Sequence, residues 1–171
     1  MDEDKTLLSE IIAGTYDAAD RPFDFLEENV VTALVCEQDQ ASRGKIVSAL
    51  TSMGYQITTP VMLKEALKNM LFHVYNVVII DEHYETASSE ANEILTYLCS
   101  LPMSTRNQIF VVLISDHFRT MDNMAAFNQS VNLIINKKNL DDIGMILNRA
   151  VKDNDNFYFV FKEIMKNKGR V

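Results

Sequence analysis

The stretch Val77-Val78-Ile79-Ile80-Asp81-Glu82-His83 decides how this chain is read. Four consecutive apolar residues, all β-branched, mark a strand buried on both faces, as central strands of parallel sheets are. The run stops at a carboxylate. In an open α/β sheet, ligands and chemistry gather at the carboxyl ends of the strands, so Asp81 stands where a functional acid is expected. Three other apolar runs end in the same way. Thr32 to Cys36 meets Glu37-Gln38-Asp39, Phe110 to Ile114 meets Ser115-Asp116, and Val131 to Ile135 meets Asn136-Lys137-Lys138. Acids, a hydroxyl and an ammonium are thereby expected at one edge of one sheet.

Between these runs the spacing turns helical. Ile46, Val47, Leu50 and Met53 precede Gly54 at a helix C-terminal position, and Tyr55 to Thr58 reads as a short second strand. Thr59-Pro60 is expected to cap the next helix, whose inward face is Leu63, Ala66, Leu67, Met70, Leu71 and Val74. A polar loop from Glu82 to Ser88 leads to a third helix facing inward through Ala91, Ile94, Leu95 and Leu98, with Pro102 beyond its end. A short helix around Met124 and Phe127 precedes the last strand. Alternating strand and helix demands right-handed crossovers covering both faces of the sheet. The fold class is α/β: a doubly wound, five-stranded parallel sheet.

Composition narrows the function classes. A length of 171 residues with 47% hydrophobic side chains suits one domain with extra helices. The formal charge of -8 argues against direct binding to a nucleic-acid backbone, which rests on clustered cations, and favours protein partners. Cys36 and Cys99 lack metal-ligand spacing and read as free thiols, in keeping with a reducing cytoplasm. No apolar run reaches the roughly 20 residues of a membrane span, and the acidic start is unlike a basic signal peptide. His73, His83 and His117 are scattered and read as solvated surface residues. Five glycines form no phosphate-cradling loop, and neither a nucleophile elbow nor a paired metal motif is present. No catalytic residue is assigned, and the chain is not expected to be an enzyme.

In order along the chain, Leu34 to Gln38, Leu50 to Tyr55, Asp81, Ser115 and Lys137 resemble the receiver domains of two-component response regulators. The resemblance covers roughly Thr32 to Ala150. It implies the flavodoxin-like strand order 2-1-3-4-5, with Asp81 as phospho-acceptor candidate, Ser115 and Lys137 as phosphoryl contacts, and Ile134 at the strand-five switch position. It also implies a Mg2+ site formed by Glu37, Gln38, Asp81 and the backbone carbonyl of His83. The logic is electrostatic. A carboxylate attacking a phosphoryl group needs its charge neutralised, and phosphoryl transfer is mainly positioning and charge stabilisation.

The chain departs from that pattern. Gln38 replaces a direct carboxylate ligand, and Glu37 is one methylene longer than the usual Asp. A neutral amide binds Mg2+ weakly. Asp116 adds bulk and charge beside Ser115, Lys138 replaces a proline, and Glu82 to Glu85 lacks the usual Met-Pro turn. The expected function is a receiver-like signalling module with a degenerate site, working by protein contacts. The alternatives are a functional Mg2+-dependent phospho-accepting single-domain regulator and a structural dimerisation or scaffold domain. A histidine kinase or a downstream target protein is the class of partner expected.

The expected organisation is an N-terminal helical arm and linker over 1–29, the receiver-like unit over 30–151 and a helical extension over 152–171. Leu7, Leu8, Ile11 and Ile12 form the apolar face of the arm, which either packs locally or docks a partner. The extension is too short for a DNA-binding output domain. Its run Phe157, Tyr158, Phe159, Val160 and Phe161 cannot face one core from one helix. Its second face meets either the N-terminal arm or another chain, and the aromatic residues are assigned to a homodimer interface.

Overall fold

The computed structural model describes residues 30–85 and 92–169. The expectations for the N-terminal arm, and for Ala91 in the third helix, lie outside the described residues. The elements run β1 (Thr32–Cys36), α1 (Gln40–Ser52), β2 (Gln56–Thr58), α2 (Leu63–Phe72), β3 (Val77–Asp81), α3 (Glu93–Ser100), α4 (Met103–Arg106), β4 (Phe110–Ser115), α5 (Asn123–Asn128) and β5 (Leu133–Asn136). A 3-10 turn over Lys137–Asp142 then leads into α6 (Ile143–Asn167).

All strand pairs are parallel, and the order is β2-β1-β3-β4-β5, as expected. Because side chains alternate across a strand, the apolar runs divide between two cores. Leu34, Cys36, Val78, Ile80, Val111, Leu113 and Ile134 pack with α2 and α3. Ala33, Val35, Val77, Ile79, Val112, Ile114, Leu133 and Ile135 pack on the other face with Ile46 and Leu50 of α1 and Ile143 and Leu147 of α6. Every residue of β1, β3 and β4 is buried, which is why those segments read as continuous apolar runs rather than alternating ones.

Helix starts follow side-chain caps in three places. Asp39, Asn92 and Asp122 each accept hydrogen bonds from backbone N–H groups in the first turns of α1, α3 and α5. Gly54 follows α1 with φ +85°, a left-handed conformation that favours glycine.

The start of α2 corrects the sequence reading. Thr59-Pro60 does not cap it; the helix begins at Leu63 after Met62, which provides no side-chain cap. The carboxylate of Glu85, from the loop after β3, accepts the Leu63 N–H instead. In the same loop the Tyr84 hydroxyl donates to the Pro60 carbonyl at 2.9 Å, and Tyr84 is buried. The loop after β3 therefore fastens to the entry of α2. Val74 is also corrected: α2 ends at Phe72, and Val74 lies exposed beyond it. Met124 and Phe127 do lie on a short helix, but both side chains are exposed, and Ala126 is the residue that helix buries.

The C-terminal segment is one continuous 25-residue helix, about 37 Å long. No residue from Lys152 to Gly169 is buried. Among the described residues, no helix is long and apolar enough to cross a membrane.

Candidate functional site

Sheet register assembles the site. Cys36 pairs with Ile80, Asp81 with Ile114, and Ser115 with Asn136. Neighbouring strands lie about 4.8 Å apart. Glu37, Asp81, Ser115 and Lys137 thus emerge from adjacent carboxyl ends of the sheet. Glu37, Asp81 and Ser115 are buried.

Lys137 reaches Asp81 across the top of β4. Its Nζ lies 2.7 Å from Asp81 Oδ2 and 3.5 Å from Asp116 Oδ2. The Asp81 Oδ2 contact is ionic, without the angle of a good hydrogen bond. Asp81 Oδ1 accepts the His83 N–H at 2.8 Å. Burial alone would lower the Lys137 pKa, but Asp81, Glu37 and Asp116 outweigh it and the net shift is upward. Asn136, which precedes Lys137, is engaged elsewhere. Its side-chain amide donates to the Phe118 carbonyl at 2.7 Å, and its carbonyl oxygen accepts the Lys138 N–H at 3.0 Å.

Glu37 lies beside this pair. Its Oε1 accepts the Asp39 N–H at 2.9 Å, while the buried Oε2 has no hydrogen-bond partner among the described residues. Burial first, then the Asp81 charge, pushes its pKa up to about 7, against the lowering effects of the Asp39 N–H and Lys137. Asp39 itself is committed to capping α1 through the Ser42 N–H at 2.8 Å. It does not replace the carboxylate absent at Gln38, and Gln38 is exposed.

These residues fit Mg2+ poorly. The free Glu37 oxygen and Asp81 are the anionic donors, but burial disfavours the charged form of Glu37 and Asp81 is already paired with an ammonium. Mg2+ gives up water reluctantly and takes hard anionic oxygen. Gln38 contributes no charge.

Ser115 is the main surprise. Its hydroxyl donates to Glu82 Oε2 at 2.7 Å, and the Asp116 N–H donates to Glu82 Oε1, also at 2.7 Å. Ser115 Oγ in turn accepts the N–H groups of His117 and Phe118 at 3.0 and 3.1 Å. Glu82 is buried, with 3% of its surface exposed, although its surroundings in the sequence are those of a polar loop. Its one available signal was its position, directly after a strand-ending acid and one strand away from a serine that ends β4. His83 and His117 are corrected as well. They are not scattered: His83 Nε2 lies 3.6 Å and His117 Nδ1 3.4 Å from Glu82 Oε1. The third histidine, His73, has its Nε2 2.8 Å from Thr32 Oγ1, and burial lowers its pKa.

Ile134, the expected switch position, is fully buried in the core beneath α2 and α3, and its carbonyl accepts the Met121 N–H at 2.9 Å. Cys36 is a buried free thiol whose pKa burial pushes up, whereas Cys99 is exposed.

The arrangement of strands and helices is similar to that of solved receiver domains. A putative response regulator from Chloroflexus aurantiacus J-10-fl superposes with a TM-score of 0.58 at 14% identity, covering 72% of this chain and 99% of its own. A CheY-like receiver domain protein from Methanospirillum hungatei JF-1 gives 0.58 at 14% identity, over 75% of this chain and 98% of that one. An orphan response regulator of H. pylori gives 0.53 at 16% identity, over 71% and 96%. No family model and no curated protein matches the sequence. At such identities the likeness is one of fold, and the fold is that of response-regulator receiver domains.

Proposed function

We propose that this chain is a receiver-like signalling module with a degenerate phospho-acceptor site, acting through protein contacts. The observation that carries this reading is the commitment of Ser115. A hydroxyl that would hold a transferred phosphoryl oxygen is held instead by the buried carboxylate of Glu82. A phosphoryl group arriving at Asp81 would have to take the Lys137 ammonium from a second acid, Asp116, and would place its charge beside Glu37. Each of these costs weakens phosphorylation while leaving the fold intact.

One specific observation favours the phosphorylated alternative. Lys137 and Asp81 are within contact distance, as an acceptor site requires. Acetyl phosphate with Mg2+, followed by intact mass, separates the two readings. The expected outcome is no phosphoryl adduct on the unmodified chain. Gln38→Asp, which restores an anionic oxygen, is expected to tighten Mg2+ binding measured by calorimetry. An adduct on the unmodified chain that disappears in Asp81→Asn would establish a working acceptor and overturn the degenerate reading.

The partner surface in this proposal is the second half of α6, and its occupant is a second copy of the chain. Phe157 is 80% exposed and Phe159 61%, with Val160 and Ile164 also exposed. Phe157 packs edge-on against Tyr158 at 4.9 Å, and Tyr158 against Phe161 at 6.3 Å, so these three rings form one aromatic ridge, while Phe159 leaves the helix on another side. Each such side chain offers about 150 to 250 Å² of buriable surface. Soluble monomers rarely expose more than a few hundred Å² of apolar surface in one patch. Sedimentation equilibrium at ~100 μM, well above the micromolar range that standard interfaces reach, is expected to show a dimer, and a chain truncated after Asn154 a folded monomer. A monomeric full-length chain would remove the aromatic ridge as a self-association surface.

A further inference from the structure

The Glu82, His83 and His117 side chains form a second cluster, joined to the Asp81 site through the Ser115 hydroxyl. We propose that Glu82 Oε1, His83 Nε2 and His117 Nδ1 bind one divalent transition-metal ion, with Zn2+ the best match, bridging the loops after β3 and β4.

The spacing supports this directly. Zn2+ bonds of 2.0–2.2 Å at tetrahedral angles put neighbouring ligand atoms about 3.3 Å apart. The two carboxylate-to-imidazole separations are 3.4 and 3.6 Å, and all three ligand atoms lie within 4.8 Å of one another. The imidazole rings sit 6.0 Å apart, inclined at 67°. Both rings face solvent and are free to turn, the His83 side chain 41% exposed and that of His117 71%.

The ligands are held from behind. The Glu82 carboxylate is oriented by the Ser115 hydroxyl on Oε2 and the Asp116 N–H on Oε1. The His117 backbone is fixed by its N–H to Ser115 Oγ, and the His83 backbone by its N–H to Asp81 Oδ1. Outer contacts of this kind orient metal ligands and are worth on the order of 10- to 100-fold in affinity. A carboxylate oxygen has lone pairs enough to accept the Asp116 N–H and bind an ion. Two imidazoles and one carboxylate select zinc-like ions over Mg2+, which prefers oxygen. The solvent side leaves a fourth position for water.

Bound metal would tie His117 to His83 and hold Glu82 against Ser115. The ion would therefore fasten the loop after β4 in the arrangement described here. The site does not depend on phosphorylation of Asp81 and stands or falls separately from it.

The test uses the full chain, titrated with ZnCl2 by calorimetry and with CoCl2 by visible absorption. The expected result is one site per chain, an intense tetrahedral Co2+ spectrum, no competition from MgCl2 and a raised melting temperature with Zn2+. His83→Ala and His117→Ala are each expected to weaken binding by about 10- to 100-fold or more, and His73→Ala to leave it unchanged. Circular dichroism of each variant confirms that the fold persists, since both rings are solvent-facing. Absence of binding would reduce the cluster to a histidine–carboxylate ion pair and overturn the proposal. So would a Co2+ spectrum that stays octahedral, or equal binding by the His83 and His117 variants.

Discussion

Lys137→Ala is expected to lower unfolding free energy by roughly 2 to 3 kcal/mol at pH 8, corresponding to a fall in melting temperature of about 4–12 °C. Asp81 is buried, with 4% of its surface exposed, and its nearest cation is the Lys137 ammonium at 2.7 Å. Removing one member of a buried pair leaves the other charge uncompensated, which typically costs about 3 to 5 kcal/mol. The Lys137 side chain is 27% exposed, so water takes back part of that cost. Asp81→Asn in the same chain removes the stranded charge while keeping an oxygen to accept the His83 N–H. The double variant is therefore expected to recover most of the loss, with a coupling of about 1 to 3 kcal/mol. Denaturant unfolding of the two single variants and the double variant measures this. A change below about 0.5 kcal/mol in Lys137→Ala, the range of ordinary surface substitutions, would show that Asp81 does not rely on the ammonium.

Raising the pH from 4.5 to 7 should weaken the native fold through Glu37. Its folded pKa is pushed up to about 7 from an ordinary 4.5, with burial as the largest cause. Between those values the folded chain holds a proton that the unfolded chain has released, so ∂ΔG/∂pH for unfolding is negative there. The Glu37 contribution is full below pH 4.5, declines through the interval and is lost above about 7, a change on the order of 1 to 3 kcal/mol once solvent screening is allowed for. The groups around it act in both directions: Asp81 and Asp39 push its pKa up, and Lys137 and the Asp39 N–H push it down. Arg43, from α1, contacts the Glu37 backbone carbonyl at 3.4 Å. Glu37→Gln keeps an oxygen for the Asp39 N–H and never ionises. It is expected to be more stable than the unmodified chain at pH 8 by about 1 to 3 kcal/mol and to lack the decline. Urea midpoints at pH 5 and pH 8 measure both. A Glu37→Gln chain less stable than the unmodified one at pH 8 would mean that the carboxylate is stabilised in place, not strained by burial.

Much of this molecule is legible along the chain, and the reason is periodicity. The runs at Thr32, Val77 and Phe110 are apolar on both faces because helices cover both sides of the sheet, and the intervening 3.6-residue pattern names those helices. Asp81 and Lys137 could be placed because each follows directly from the end of a strand, where local sequence determines position. Lys137 rather than Asn136 meets Asp81 because β5 ends at Asn136, whose side chain is spent on holding the loop after β4.

Glu82 was not legible, nor was the meeting of His83 with His117. Glu82 and Ser115 are 33 positions apart, and nothing local to either announces the contact. Their pairing depends on Asp81 lying opposite Ile114 across the β3–β4 ladder, a register set by packing on both faces of the sheet. The same register brings the two loops together. The start of α2 departs from its local sequence for a similar reason: the Leu63 N–H is capped from Glu85, 22 residues later, and the nearby Thr59-Pro60 has no part in it. What the sequence by itself determined was the order of elements and which residues end each strand, because those follow from short-range periodicity. Only the tertiary structure decided which of those residues face one another, because a polar side chain takes its partner from whichever loop the packed sheet delivers.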